Sequence, residues 1–504
     1  MKKHPGNSIF LITLAALFAV FSIPAAQASV QEPPEGAKIV PIERIVTEGR
    51  VNRTPYFAYV SVRSGDIADV WVPAELLADM GCPVRLSADK TFFMGRIDEP
   101  MEKFGLPELR ELIPNNAIDM NFRAVDDGER YYFNITGTEA VTGITHTMTD
   151  SGRVIVPPAS GEILIVGYPE LMPEKAKIFI PEFRRPDLSE PFSLLWDHVI
   201  GHNPDLSAED ALPTVKVISP TWFDLADDNG TIANRADRSY TIYAHEKGYA
   251  VWALVTNGFN RERTTKFLAS QAMQKEFIAH MLVYAKLYGV DGINIDFENI
   301  ANEDAERFTA FVRMFSEYGR RTGLAMSVDV PVPSDWNRAF EYAALADAVD
   351  YVAIMTYDEH WGTSPRAGST ASLPWVDRAV QRVLTQVPPD KLLMGIPFYT
   401  REWEETRNRD GRVSVRARTM AMASTDVRLR ETGAGLQWLG DIGQNYFQYT
   451  SGDLNYRIWV ENERSIALRM ALINRYRLAG AAFWRKGFEK PEVWPVIEEA
   501  LSGN

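Results

Sequence analysis

One cysteine, Cys82, is all the thiol chemistry in this chain of 504 residues, so no internal disulfide can form and core burial must hold the fold. Histidine is scarce too. Its seven copies show no metal-ligand spacing, and neither a metal nor any other cofactor is expected. Beyond an N-terminal leader, no apolar run is long enough to cross a bilayer, so no transmembrane segment is expected. Positive charge is in deficit: 53 Lys and Arg stand against 67 Asp and Glu, a formal net charge of −14. That balance disfavours nucleic acid and anionic membrane surfaces as partners. It would also repel acidic wall polymers, so binding of a polymer has to rest on stacking and hydrogen bonds. The sequence shows no internal repeat and no low-complexity tract.

The leader itself is informative. Lys2 and Lys3 precede an apolar run from Ile9 to Ile23, and Ala26-Gln27-Ala28 offers small residues before Ser29. This is the pattern of a secretory signal peptide cleaved after Ala28, which would send the chain to the cell envelope or outside the cell. The mature chain would carry −16, since Lys2 and Lys3 are the leader's only charges. With no cysteine near the cleavage point, a lipid anchor is not expected.

Residues 29–160 read as a small α+β domain. Short β-rich segments (Tyr56–Val62, Phe92–Met94, Tyr131–Ile135) surround one helical stretch, Pro73–Met80. Residues 161–212, rich in proline, read as a connecting segment. From 213 to 504 strand and helix patterns alternate, as in an α/β fold with a parallel sheet. Seven strands are legible: Val215–Ser219, Ala250–Thr256, Gly292–Glu298, Ala325–Val330, Tyr351–Tyr357, Leu392–Pro397 and Gly480–Trp484. Their number and spacing predict an eight-stranded (β/α)8 TIM barrel with one strand unrecognised. A polar, turn-rich stretch, about 400–464, reads as an insertion before the last strand. Phe308, Phe311, Val312 and Phe315 mark one helix, with Asn302 as its expected cap. A helix through Phe277, Met281, Tyr284 and Tyr288 should stop at Gly289.

Chemistry concentrates in Val290–Asn299. Ile293, Ile295 and Phe297 alternate with Asn294, Asp296 and Glu298, so two faces of one strand are apolar and polar in turn. Uncompensated polar groups in a strand covered on both sides cost on the order of several kcal/mol. Three in a row, two of them acids, fit the mouth of a catalytic barrel. Residues two apart on a strand project to the same side about 6.5–7 Å apart, so Asp296 and Glu298 can face one substrate.

The segment Asp291-Gly292-Ile293-Asn294-Ile295-Asp296-Phe297-Glu298 resembles the fourth-strand signature Asp-x-x-Asp-x-Asp-x-Glu of family 18 glycoside hydrolases, the chitinase-like barrels. Met355-Thr356-Tyr357-Asp358 looks like that family's sixth-strand segment, and Gly480-Ala481-Ala482-Phe483-Trp484 looks like its eighth strand. Asp358-Glu359-His360-Trp361, Gly395-Ile396-Pro397-Phe398-Tyr399 and Trp459-Val460-Glu461-Asn462 resemble the spore-germination branch, whose members cut cortex peptidoglycan as N-acetylglucosaminidases. The resemblance covers about Pro213 to the C-terminus. It implies a retaining hydrolase of β-1,4-linked N-acetylglucosamine polysaccharide, with peptidoglycan favoured. The alternatives are chitin as substrate, or a catalytically silent sugar-binding envelope protein, a type that typically lacks the terminal Glu present here.

The same resemblance assigns roles. Glu298 would be the acid, Asp296 would orient the substrate's 2-acetamido group, and Tyr357 would hydrogen-bond its carbonyl, in a substrate-assisted reaction. Asn294 and Asp291 would support them, and Trp484, Met355, Asp358 and Tyr399 would meet the sugar. Asn294 departs from most chitinases, which carry Asp there. An amide can orient Asp296 but cannot share its proton. Asp291 is read first as a brace for the turn before the strand. Trp484 offers a stacking face, while for Trp222, Trp361, Trp403 and Tyr399 core packing and sugar contact are equally open. His360 reads as loop packing and Cys82 as a small buried apolar residue. Val70–Gly81 weakly resembles the small domain named after the N-terminus of copper amine oxidases, with no histidine cluster for copper. No wall-binding LysM-like repeat is present.

Overall fold

The computed structural model describes residues 37–46, 50–63, 66–79, 82, 84–88, 90, 92–136, 138–142, 145–149, 152–156, 163–167, 183–200, 203–212, 214–335, 337–407 and 412–502. The expected signal peptide lies outside them. No described helix is long and apolar enough to cross a membrane.

Eight strands pair in parallel and close on themselves: β1 (Phe192–Asp197), β2 (Val215–Leu225), β3 (Ala250–Thr256), β4 (Gly292–Asp296), β5 (Ala325–Pro331), β6 (Tyr351–Met355), β7 (Leu392–Pro397) and β8 (Gly480–Trp484). This is the expected TIM barrel, and the unrecognised strand is β1. The connecting segment read at 161–212 is therefore corrected, since it holds the first barrel strand. It also holds Ile163–Gly167, which pairs with Ile42–Ile45 in the N-terminal sheet. Both strands are short apolar runs among prolines, and β1 is buried along its whole length, so neither shows the alternation that marks a half-exposed strand.

The barrel wall obeys period two. In β3, Ala250, Trp252 and Leu254 fill the barrel interior, while Val251, Ala253 and Val255 pack outward against the helices. In β4 the outward set is Ile293 and Ile295. Gly292 takes no side chain because a Cβ there would meet Trp252 at 2.6 Å and the Ala325 carbonyl at 2.7 Å. The helix Gln271–Tyr288 stops at Gly289, in the left-handed region at φ 69°, as expected. The helix Ala305–Arg321 carries Phe308, Phe311, Val312 and Phe315 into the core. Its expected cap is corrected: Asn302 opens a 3-10 turn, and its Oδ1 accepts from the Arg338 N–H instead.

The insertion between β7 and β8 is a five-stranded antiparallel sheet with one helix, Met422–Thr432. Ahead of the barrel lie an eight-stranded antiparallel sheet and a three-stranded sheet of Val84–Leu86, Phe92–Asp98 and Ala117–Arg123. The helix Ala74–Asp79 and Cys82, which is 7% exposed, complete that core. The N-terminal part is not held at a distance. Tyr284 exchanges hydrogen bonds with the backbone of Asn121 at 2.9 and 3.1 Å, His280 meets the Asp119 carbonyl at 2.8 Å, and Glu111 accepts from Tyr318 and Arg321 at 2.8 and 3.1 Å.

Candidate active site

The C-terminal ends of the barrel strands open into a cavity of about 1440 Å³, the end at which TIM-barrel enzymes place their chemistry. Asp296 closes β4 and Glu298 follows two residues later; both line the cavity with Asp329, Met355, Tyr357 and Trp484. Glu298 is fixed through its backbone. Its N–H donates to Asn257 Oδ1 at 3.1 Å, and Asn257 Nδ2 donates to its carbonyl at 2.6 Å. Asn299, next in the chain, sits at φ 53°, and Phe259 opposite also sits at φ 53°. Asn299 Nδ2 donates to the Phe259 carbonyl at 3.1 Å, so two left-handed backbones brace each other beside the acid.

Beneath the acids a polar network fills the barrel. Asn294 is fully buried: its carbonyl accepts from Trp196 at 2.8 Å and Ser219 at 3.2 Å, and its amide donates to Ser327 at 3.0 Å and Asp329 at 2.7 Å. All four of these bonds suit an amide, whereas an ionised carboxylate could not donate the last two. Asp296 Oδ1 is buried and has no hydrogen-bond partner among the described residues.

Like charge and low dielectric act together on these acids. Burial, then Asp224, pushes Asp296 up to about 7. Burial, then Asp296 and Asp358, raises Glu298 well above the usual carboxylate range. Burial and Asp296 raise Asp329 in the same way, opposed by the hydrogen bond from Asn294. Each of these shifts favours the protonated form, the direction an acid catalyst needs.

Other residues singled out in the sequence separate into those the cavity gathers and those it does not. Asp358 lines it from a left-handed backbone at φ 62°, its Oδ1 held by Arg401 at 2.6 Å and Tyr399 at 2.7 Å. Tyr399 is buried behind Asp358 and does not line the cavity. Asp291 lies at the opposite end of β4, where it accepts from Arg185 at 3.1 Å and from the Val251 N–H at 2.9 Å, and meets His245 at 2.8 Å. It braces the turn. Trp361 lines the cavity, while Trp222 and Trp403 are buried with their indole N–H groups bonded to Asn203 and to the Gly368 carbonyl. His360 packs in its loop against the Ser369 carbonyl at 2.9 Å.

Sequence reading missed Asp329, Asp224, Asn257 and His198. Asp329 had a signal, since Ser327 and Asp329 alternate with Met326, Val328 and Val330 in an otherwise apolar strand. Asp224 accepts from Thr256 at 2.5 Å and from Arg235. His198 lies 5.8 Å from the Trp484 ring, and burial with Arg485 and Arg235 lowers it to about 4. Nothing in local pattern marks Asn257, whose partner is 41 residues away.

The profile described as glycosyl hydrolases family 18 matches residues 220–488, just over half of the chain. The uncharacterized glycosylase YvbX of Bacillus subtilis (strain 168) is 27% identical over 288 residues, covering 54% of this chain and 81% of that protein. The cortical fragment-lytic enzyme of the same organism is 24% identical over 317 residues, covering 60% and 72%. Among solved structures, the Bacillus cereus spore cortex-lytic enzyme SleL shares the fold with a TM-score of 0.54 at 22% identity, over 63% of this chain and 76% of that one.

Proposed function

Because the chain belongs to glycosyl hydrolases family 18, we propose that this glycoside hydrolase cleaves β-1,4-linked N-acetylglucosamine glycans, peptidoglycan first among them, with the substrate's own acetamido group as nucleophile. The observation that carries this reading is the pairing of two acids at the end of β4. Glu298, driven toward its protonated form, faces the cavity beside Asp296, one of whose buried oxygens has no hydrogen-bond partner among the described residues. An acetamido N–H is the donor that oxygen would accept.

In this reading Glu298 protonates the glycosidic oxygen. The acetamido carbonyl attacks the anomeric carbon and gives an oxazolinium, which Asp296 stabilises and the Tyr357 hydroxyl orients. Water then attacks with Glu298 as base, so configuration is retained. Asn294 positions Asp329 and leaves the proton sharing to Asp296, Glu298 and Asp329. Met355, Asp358 and Trp484 contact the sugar, and Trp484 stacks beneath it. Export by the leader and action at the envelope belong to the same proposal, supported by relatives named for cortex lysis.

The test is Glu298→Gln, which keeps shape and removes proton donation. Turnover on purified glycan strands should fall by about 10²–10⁴ while sugar binding persists. Mass spectrometry of wild-type products from peptidoglycan and from chitin hexamer, side by side, identifies the bond. New N-acetylglucosamine reducing ends support the proposal, and muramic acid reducing ends refute it. Cleavage of chitin alone would move the substrate to the chitin reading.

A further inference from the structure

The cavity above the barrel is not built by the barrel alone. Ser87, Phe92, Met94 and Asn121 line it as well, and all four precede the span matched by the family profile. Phe92, Met94 and Asn121 come from the three-stranded N-terminal sheet, whose two faces are sharply divided, and Ser87 directly follows its first strand. Along Phe92–Asp98, Phe93 and Ile97 point into the domain core, whereas Phe92 and Met94 alternate with them and stay half-exposed. Along Ala117–Arg123, Ile118, Met120 and Phe122 are buried and Asn121 is not. Met94 pairs with Asn121 and Phe92 with Arg123, so the outward side chains form one continuous patch.

That patch is fixed against the barrel. The backbone of Asn121 is held by Tyr284 and by Asn234 Nδ2, which donates to its carbonyl at 3.1 Å. Asn234 ends Ile232–Asn234, the strand that folds back antiparallel on β2. Thr231 and Ala233 of this hairpin, with Asp227 and Arg263, continue the lining toward Asp296 and Glu298. The volume of about 1440 Å³ exceeds the roughly 300–1,000 Å³ that suffices for a single small ligand. An aromatic ring and a thioether left facing the cavity, beside amide, carboxylate and guanidinium groups, match a sugar chain, whose rings have apolar faces and hydroxyl edges.

We propose that Phe92, Met94 and Asn121 form a distal sugar-binding subsite, on which a glycan strand rests at a point removed from the bond that is cut. The proposal rests on the reading that a glycan occupies the barrel mouth. It assigns the N-terminal sheet to the substrate cleft itself and makes the enzyme selective for long strands over short ones.

The test uses the full chain with Phe92→Ala and Met94→Ala combined, on N-acetylglucosamine oligomers from trimer to hexamer and on purified glycan strands. The ratio of kcat/KM on hexamer to that on trimer should fall about tenfold, through KM, as for loss of a stacking contact. Phe92→Trp, which keeps an aromatic face, should hold the wild-type ratio. An unaltered ratio in the double variant, or a parallel fall on every length, would overturn the subsite; the second outcome would mean that the sheet only props the barrel. Calorimetric titration of hexamer into Glu298→Gln protein, with and without the two alanines, separates the two proposals. A weakened hexamer affinity with no hydrolysis by the wild type would remove the catalytic reading and keep the subsite. Equal affinities would remove the subsite whatever the wild type cleaves.

Discussion

In the proposed reaction the demands of chemistry and of stability at Asp296 oppose each other. Its carboxyl, ordinarily near 3.9, is pushed up to about 7 by burial and by Asp224. Between about pH 4 and pH 7 the folded chain therefore holds a proton that the unfolded chain has released. Stability falls as pH rises through that window and levels off above it. Asp296→Asn removes this cost and also lifts the charge that helps raise Glu298 and Asp329. The variant should melt with the wild type near pH 4 and a few degrees above it at pH 7, at roughly 1 °C per kcal/mol for a cooperative unit of this size. Scanning calorimetry across that range checks the sign, and a gain independent of pH would disprove it. In residual activity the alkaline limb should move to lower pH, because Glu298 loses a neighbour that holds its proton. The sequence showed Asp296 and Glu298 through their spacing on one strand. It did not show Asp329 as their partner, because the two meet only when β4 and β5 lie side by side.

Elements were legible in proportion to how one-sided their surroundings are. The helix Ala305–Arg321 shows a regular apolar stripe because one face is wet, and the left-handed stop at Gly289 could be read from the residue type alone. β1 could not, since a strand covered on both faces inside a proline-rich stretch lacks periodicity. The segment Trp459-Val460-Glu461-Asn462, noted for its resemblance, turns out to join elements. Glu461 and Arg469 form a fully buried pair at 2.6 Å, and Ser465 and Gln444 donate to the same carboxylate. Asn462 caps the helix Glu463–Tyr476 in a reciprocal capping box. Arg469 also donates to the Ala371 carbonyl, tying that helix to the chain that follows Asp358. Arg469→Met should destabilise the protein by about 3–5 kcal/mol, because Glu461 is left buried without its counter-ion. Adding Glu461→Gln should recover part of the loss. Denaturant titration of the two variants decides it, and an equal or larger loss in the double variant would show that packing rather than charge sets the cost.

For the whole molecule, the relation between the N-terminal domain and the barrel matters most. Read from the sequence, residues 29–160 stand apart, because a linker rich in proline hides contacts made far along the chain. Asp69 accepts from Ser239, 170 residues later, and Glu111 from Arg321, 210 residues later. Apolar residues of both parts, among them Phe93, Phe133, Phe223 and Tyr284, belong to one continuous core. Heating should therefore give one calorimetric transition in which both parts unfold together. Two resolved transitions would show them to be independent. The lone thiol gains a use from this arrangement. Cys82 is 7% exposed in the N-terminal core, and burial raises its pKa, so a thiol reagent reaches a reactive thiolate only when that core opens. With no second cysteine to confuse the signal, its labelling rate is a clock for how often the N-terminal domain breathes, already installed in the native sequence.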